Sequence, residues 1–189
     1  MIEEVKKFVT DSFTKDGKPS TTIKHSIRVA DWIKVLKPDA DDALIIAALA
    51  HDIERAFRHD KVYDALKEAG KGFTDEDFLT NHQEKGANII AEFLQKNGAD
   101  NTLTERVKML VSKHELGGND DQNLLKDADS LSFFENNINH FLTNLIHRSS
   151  KESVHEKFKW MYDRITSDKA KQIAKPWYEK AMKELDCVK

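Results

Sequence analysis

Cysteine is almost absent from the chain, which carries one in 189 residues, Cys187 near the C-terminus. A lone cysteine closes no intrachain disulfide and offers no Cys-x-x-Cys redox or zinc site, so a reducing cytoplasmic compartment is expected. Long apolar runs are missing too. The longest, Ala43 to Ala50, falls well short of the roughly 20 residues a membrane span needs, and no membrane partner is expected. The N-terminal Met1-Ile2-Glu3-Glu4 places acids where an export signal has a basic start. Neither sign of charge is in excess, with 33 acidic against 30 basic residues. That balance provides no basic field for a nucleic-acid partner, and a bound nucleotide would be held locally. Glycine-rich phosphate loops and dinucleotide fingerprints are absent, which excludes the P-loop and Rossmann classes.

Three prolines and seven glycines leave little turn chemistry for hairpins, and apolar residues recur at spacings of three and four. The fold class is therefore all-α, and the length suits one domain over residues 1–189. A first helix follows Ile2, Val5, Val9 and Phe13 and ends at Asp16-Gly17-Lys18-Pro19. Ser20 caps a second helix to about Leu36. A third runs from Ala40 to about Phe57, and its all-apolar centre marks it as buried. After Gly70 and Gly72, an acidic start at Thr74-Asp75-Glu76-Asp77 opens a helix that stops at Asn97-Gly98. Further helices are expected over Leu103–Glu115 and Asn123–Ile146, then two amphipathic ones around Phe158, Met161 and Ile165 and around Ile173, Trp177 and Leu185.

The informative residues are polar side chains where the helical period calls for apolar ones. His25 shares a stripe with Val29, Trp32 and Leu36; His82 with Gly86, Ile89 and Phe93; His114 with Leu103, Val107 and Leu110. Three helices thus aim a histidine inward. His51 and Asp52 close the apolar helix, and a buried carboxylate there needs a cation or hydrogen bonds. One inward histidine is more often a hydrogen-bonded core residue than a ligand. The combination with a His-Asp pair and a downstream Asp-x-Asp favours a metal site. His140 and His147 line up with Asn137 and Asn144 and are expected to be solvated.

In order and flanking types, these residues resemble the HD-domain superfamily of metal-dependent phosphohydrolases. The matching segments are His25-Ser26-Ile27-Arg28-Val29-Ala30, Leu49-Ala50-His51-Asp52-Ile53 and Asp127-Ala128-Asp129-Ser130-Leu131. The resemblance covers about residues 20–150 and implies a single-domain HD-type helical bundle with the metal site at its centre, the C-terminal helices of 151–189 packing on it. It implies His25, His51, Asp52 and Asp129 as ligands of a divalent ion such as Mn, Fe, Co, Ni, Zn or Mg. The ligand after Ala maps to Asp129, while periodicity is compatible with Asp127 as well. One ion is expected and two are the alternative, because His82 and His114 resemble the additional histidines of two-metal relatives. With one ion they would contact phosphate or protonate a leaving oxygen, so His51, Asp52, His82 and His114 form the expected catalytic set.

The implied activity is attack of a metal-activated water on a nucleotide or other small phosphate ester, as a phosphomonoesterase or phosphodiesterase. Arg28, one turn after His25, and the cluster Arg55, Arg58, His59 and Lys61 are candidate phosphate contacts, against the plainer reading of a solvated cluster. Glu54 and Glu115 adjoin proposed ligands. Glu54 also stands where relatives commonly have a small residue, which alters the mouth of the expected pocket. Two alternatives stay open: a two-iron oxygenase of the same fold, and a non-catalytic metal- or nucleotide-binding module.

Overall fold

The structure, a computed structural model, describes residues 1–15, 18–58 and 74–188. The candidate contacts His59 and Lys61, and Gly17, Gly70 and Gly72, lie outside the described residues. The described chain is helical apart from a two-residue antiparallel ladder, Thr14–Lys15 with Lys18–Pro19, where the first helix ends. Among the described residues no helix is long and apolar enough to cross a membrane.

The helices are α1 (Ile2–Ser12), α2 (Thr21–Leu36), α3 (Asp42–Ala50), α4 (Glu54–Phe57), α5 (Glu76–Lys96), α6 (Asn101–Val111), α7 (Asp120–Asn136), a short α8 (Ile138–His140) that runs into a π-helical turn at Phe141–Leu145, α9 (Lys151–Asp163) and α10 (Asp168–Cys187). Starts follow the side chains that satisfy the first free backbone N–H groups. Ser20, Asp41, Asp75, Asp100, Ser150 and Ser167 each accept from the following turn. Asn119 and Gln122 form a reciprocal capping box, which starts α7 three residues before the apolar pattern does.

Every residue of α3 from Ala43 to Ala50 is buried. The helix packs on α1, α2, α6 and α7, while α9 and α10 pack on each other and on α7. A fully buried Leu or Ile contributes about 1.5–3 kcal/mol, so Leu44, Ile45, Ile46 and Leu49 together outweigh the several kcal/mol that one buried charge costs. That margin lets α3 carry a carboxylate at its end.

Two helices stop earlier than periodicity implies, and for the same reason. α3 ends at Ala50, where Ile53 N–H turns to the Ala50 carbonyl at 3.0 Å and the His51 ring Nδ1 sits 2.8 Å from the Ala48 carbonyl. α6 ends at Val111, where the His114 Nδ1 sits 2.8 Å from the Val111 carbonyl. Each histidine bonds the carbonyl three residues back, taking an acceptor that the helix would otherwise leave exposed. The expected Asn123–Ile146 helix likewise divides at Asn137, where α7 gives way to α8 and the π turn.

Candidate metal centre

The bond from His51 to Ala48 fixes more than a helix end. A carbonyl only accepts, so Nδ1 carries the proton and the lone pair sits on Nε2. That Nε2 is buried and, among the described residues, has no hydrogen-bond partner. The same holds for His114, whose Nε2 is also buried and unpartnered. Burial lowers both pKa values, that of His114 to about 4, so both rings are neutral near pH 7. Backbone orientation of one ring nitrogen with a free lone pair on the other is how proteins present histidine to metals.

His25 enters from α2. Its Nδ1 is 2.8 Å from the Ser132 hydroxyl on α7, and that hydroxyl in turn donates to the His25 carbonyl. Its Nε2 lies 3.0 Å from Asp129 Oδ1. Asp127 and Asp129 of α7 diverge sharply. Asp129 turns to the histidines, 3.7 Å from His51 Nε2, and its other oxygen is gripped by Arg164. Asp127 turns away and accepts from Thr166 N–H at 2.7 Å, the Thr166 hydroxyl at 3.0 Å and Ser167 N–H at 2.8 Å. Its carboxylate is spent on the start of α10.

Asp52 sits between two groups of donors. His25, His51 and Asp52 offer atoms within 4.8 Å of one another, and so do Asp52, His82 and His114. Successive rings of the His25–His51–His114–His82 series are 5.2 Å apart. His82 Nε2 faces Asp52 Oδ1 at 3.1 Å, and its Nδ1 lies 2.8 Å from Glu54 Oε2 and 2.9 Å from Arg58. Arg58 can only donate, whereas a proton on Nδ1 satisfies Glu54; the carboxylate therefore orients this ring. Burial would lower the His82 pKa, but hydrogen bonds to Asp52 and Glu54 outweigh it and raise it.

Burial also opposes ionisation of the carboxylates, and neighbouring charges and hydrogen bonds overcome it. Arg55 and the hydrogen bond with His82 hold Asp52 well below the usual carboxylate range, and Arg164 with the hydrogen bond to His25 does so for Asp129. Glu54 falls to about 2 through His82 and Arg58, and Glu115 to about 2 through Arg164 and Lys157. The set combines the neutral imidazole nitrogens of His51 and His114 with ionised carboxylate oxygens, and it fits a divalent cation.

A cavity of about 360 Å³ opens over this cluster. It is lined by Asp52, His25, His82 and Asp129, by the apolar Phe133, Phe141, Leu145 and Met161, and by the cations Arg55, Arg58, Arg148 and Lys157. Arg55 Nε is 2.9 Å from Asp52. Among the described candidates for phosphate contact, Arg55 and Arg58 reach the cavity and Arg28 does not. Arg28 is held at the surface by Glu135 at 2.6 Å and lies over the Trp32 ring. His140 and His147 are both exposed as expected, and His140 also stands at the cavity rim, accepting from Asn144 at 3.1 Å.

The sequence reading passed over Lys157 and Arg164. Their signal was present: both fall in the stripe Val154, Lys157, Phe158, Met161, Arg164 and Ile165, cations at positions whose neighbours are buried.

Residues 7–185 match a family model described as "Domain of unknown function (DUF4202)". No curated protein matches. Solved structures with the same fold include a predicted HD superfamily hydrolase from an uncultured Thermotogales bacterium, 20% identical with a TM-score of 0.56, covering 97% of this chain and 88% of that one. Bacillus subtilis YpgQ is 17% identical with a TM-score of 0.65, covering 98% and 90%. YpgQ in complex with ADP gives 17% and 0.62, covering 98% and 94%. The helical bundle is of the HD type expected from the motif residues, and the chain belongs to the DUF4202 family.

Proposed function

We propose that this protein is a metal-dependent phosphohydrolase acting on a nucleotide or other small phosphate ester. The observation that carries the reading is the pair of buried Nε2 atoms on His51 and His114, each on a neutral ring oriented by a backbone carbonyl and, among the described residues, without a hydrogen-bond partner. Leaving two such acceptors unsatisfied costs about 1–3 kcal/mol each, which a bound cation would offset. His25, His51, Asp52 and Asp129 would hold one ion. The group Asp52, His82 and His114 supports a second, with Asp52 shared.

When bound, the ion supplies a lowered pKa for a coordinated water and stabilises negative charge on a phosphoryl oxygen. The protein does the rest. Ser132 and the Ala48 and Val111 carbonyls fix ring orientation, so the donors need no rearrangement. Arg55 and Arg58 bring charge to the cavity for the phosphoryl group. His82, anchored by Glu54 at Nδ1, holds Nε2 toward the cluster. In a one-ion site this ring would carry a proton to the leaving oxygen. Phe133, Phe141 and Leu145 form an apolar wall suited to a base, and ADP bound to the YpgQ neighbour supports a nucleotide.

The test is phosphate release from a nucleotide panel with Mn²⁺, Co²⁺, Ni²⁺ or Mg²⁺, comparing wild type with His51→Ala/Asp52→Ala, alongside metal analysis per chain. Metal-dependent release that disappears in the double variant is expected. Two irons per chain without release would replace the reading with an oxygenase, and tight nucleotide binding without release would replace it with a binding module.

A further inference from the structure

Lys157 is placed unlike the other cations around the cavity. Arg55 is paired with Asp52, Arg58 with Glu54, and Arg164 with both Asp129 and Glu115. Lys157 projects from the buried face of α9, is 7% exposed and lines the cavity, yet among the described residues its ammonium makes no hydrogen bond and no ion pair. Its near neighbour is a ring: Nζ stands 4.3 Å from the Trp160 centroid.

A cation–π contact offsets only part of what desolvating an ammonium costs. Packing gives no reason for the charge either, since methionine would fill the same stripe beside Val154, Phe158 and Met161 without desolvating an ammonium. Burial is the main cause that brings the Lys157 pKa down to about 8, with Arg164 and Arg55 pushing it the same way against Glu115 and Asp129. The ammonium stays charged near pH 7, donor-rich and short of acceptors. Lysine has three N–H donors and no acceptor, so its complement is an anion with several oxygens that enters from the cavity.

We propose that Lys157 binds a phosphoryl oxygen of the substrate, making it an anion-binding residue of the cavity wall. The inference rests on the phosphate-ester reading for what the anion belongs to, but not for its charge. Hydrogen bonds to charged groups contribute about 1.5–3 kcal/mol, or roughly 10–100-fold in affinity.

The experiment titrates inorganic phosphate calorimetrically into Mn²⁺-loaded wild type, Lys157→Met, Lys157→Gln and Lys157→Arg, with Lys159→Met as a surface control and thermal unfolding recorded for each. In Lys157→Met and Lys157→Gln the Kd for phosphate should rise about 10–100-fold, with an unfolding temperature equal to or above wild type. Lys157→Arg should recover most of the affinity and Lys159→Met should match wild type. Wild-type phosphate affinity in either neutral variant would overturn the assignment, and so would failure of the wild-type protein to bind phosphate. Phosphate binding that needs Lys157 in a protein that hydrolyses no nucleotide would uphold the anion site while removing the hydrolase reading. Nucleotide hydrolysis with unaltered KM in Lys157→Met would do the reverse.

Discussion

On the cavity side built by α2, α3, α5 and α6, four histidines are each anchored through Nδ1 to a carbonyl, a hydroxyl or a carboxylate, and the opposite nitrogens converge on Asp52 and Asp129. On the side built by α8 and α9, the buried charged groups are cations: Arg164 is saturated by two acids, and among the described residues Lys157 has only a ring in contact with its ammonium. The first arrangement fixes direction, which matters for lone pairs on a metal. The second supplies charge balance, which is less directional and lets a flexible lysine serve. The difference explains why the histidine side is stiffened by local backbone bonds while the cationic side depends on long-range pairs across α6, α7 and α9.

The sharpest way to break this contrast is Arg164→Met. It strands Asp129 and Glu115 as buried carboxylates without their cation, and a loss of about 3–5 kcal/mol in urea unfolding is expected. An unfolding midpoint within error of wild type would show that neither acid relies on Arg164. Acid titration probes the same pair more gently. The Glu115 pKa is depressed to about 2 from an ordinary value near 4.5, so its stabilisation is complete above about pH 4.5 and is lost as pH falls toward 2. By linkage that amounts to something on the order of 3 kcal/mol. Stability that stays flat from pH 5 to about 2.5 would contradict it.

Asp127 and Asp129 allow a finer comparison, two residues apart on one helix. Asp127→Asn weakens the start of α10 and should cost about 1–2 kcal/mol of stability with metal content retained. Asp129→Asn should lower metal content instead. Equal metal loss in both variants would remove the distinction. The smallest effect belongs to Arg28→Ala, whose surface pair with Glu135 is expected to be worth under about 1 kcal/mol, with phosphate release unaltered.

Much of the centre was legible because helical period is a strong signal where a polar residue interrupts it. His25, His51, Asp52, His82 and His114 all point inward as their stripes imply. The helix ends at Ala50 and Val111 were not legible, since a histidine side chain bonding the backbone three residues back leaves no mark in the apolar pattern. Arg28 misled for a related reason: one turn from His25 is close enough for contact in principle, but Glu135 on α7 draws it to the surface. Lys157 and Arg164 escaped because α9 was read by its apolar residues alone, although cations at buried positions are the same irregularity that exposed the histidines.

The four residues joining α9 to α10 have a consequence for modularity. Within them Arg164 ties to Asp129 and Glu115, while Thr166 and Ser167 tie to Asp127. The link is thereby riveted to α7 on either side of Ala128. A segment ending near residue 150, although it contains every histidine and carboxylate of the centre, would leave three buried acids without their partners. The heritable unit of this site extends through α10, and exchange of the C-terminal pair between relatives would have to carry the matching acids of α6 and α7 with it.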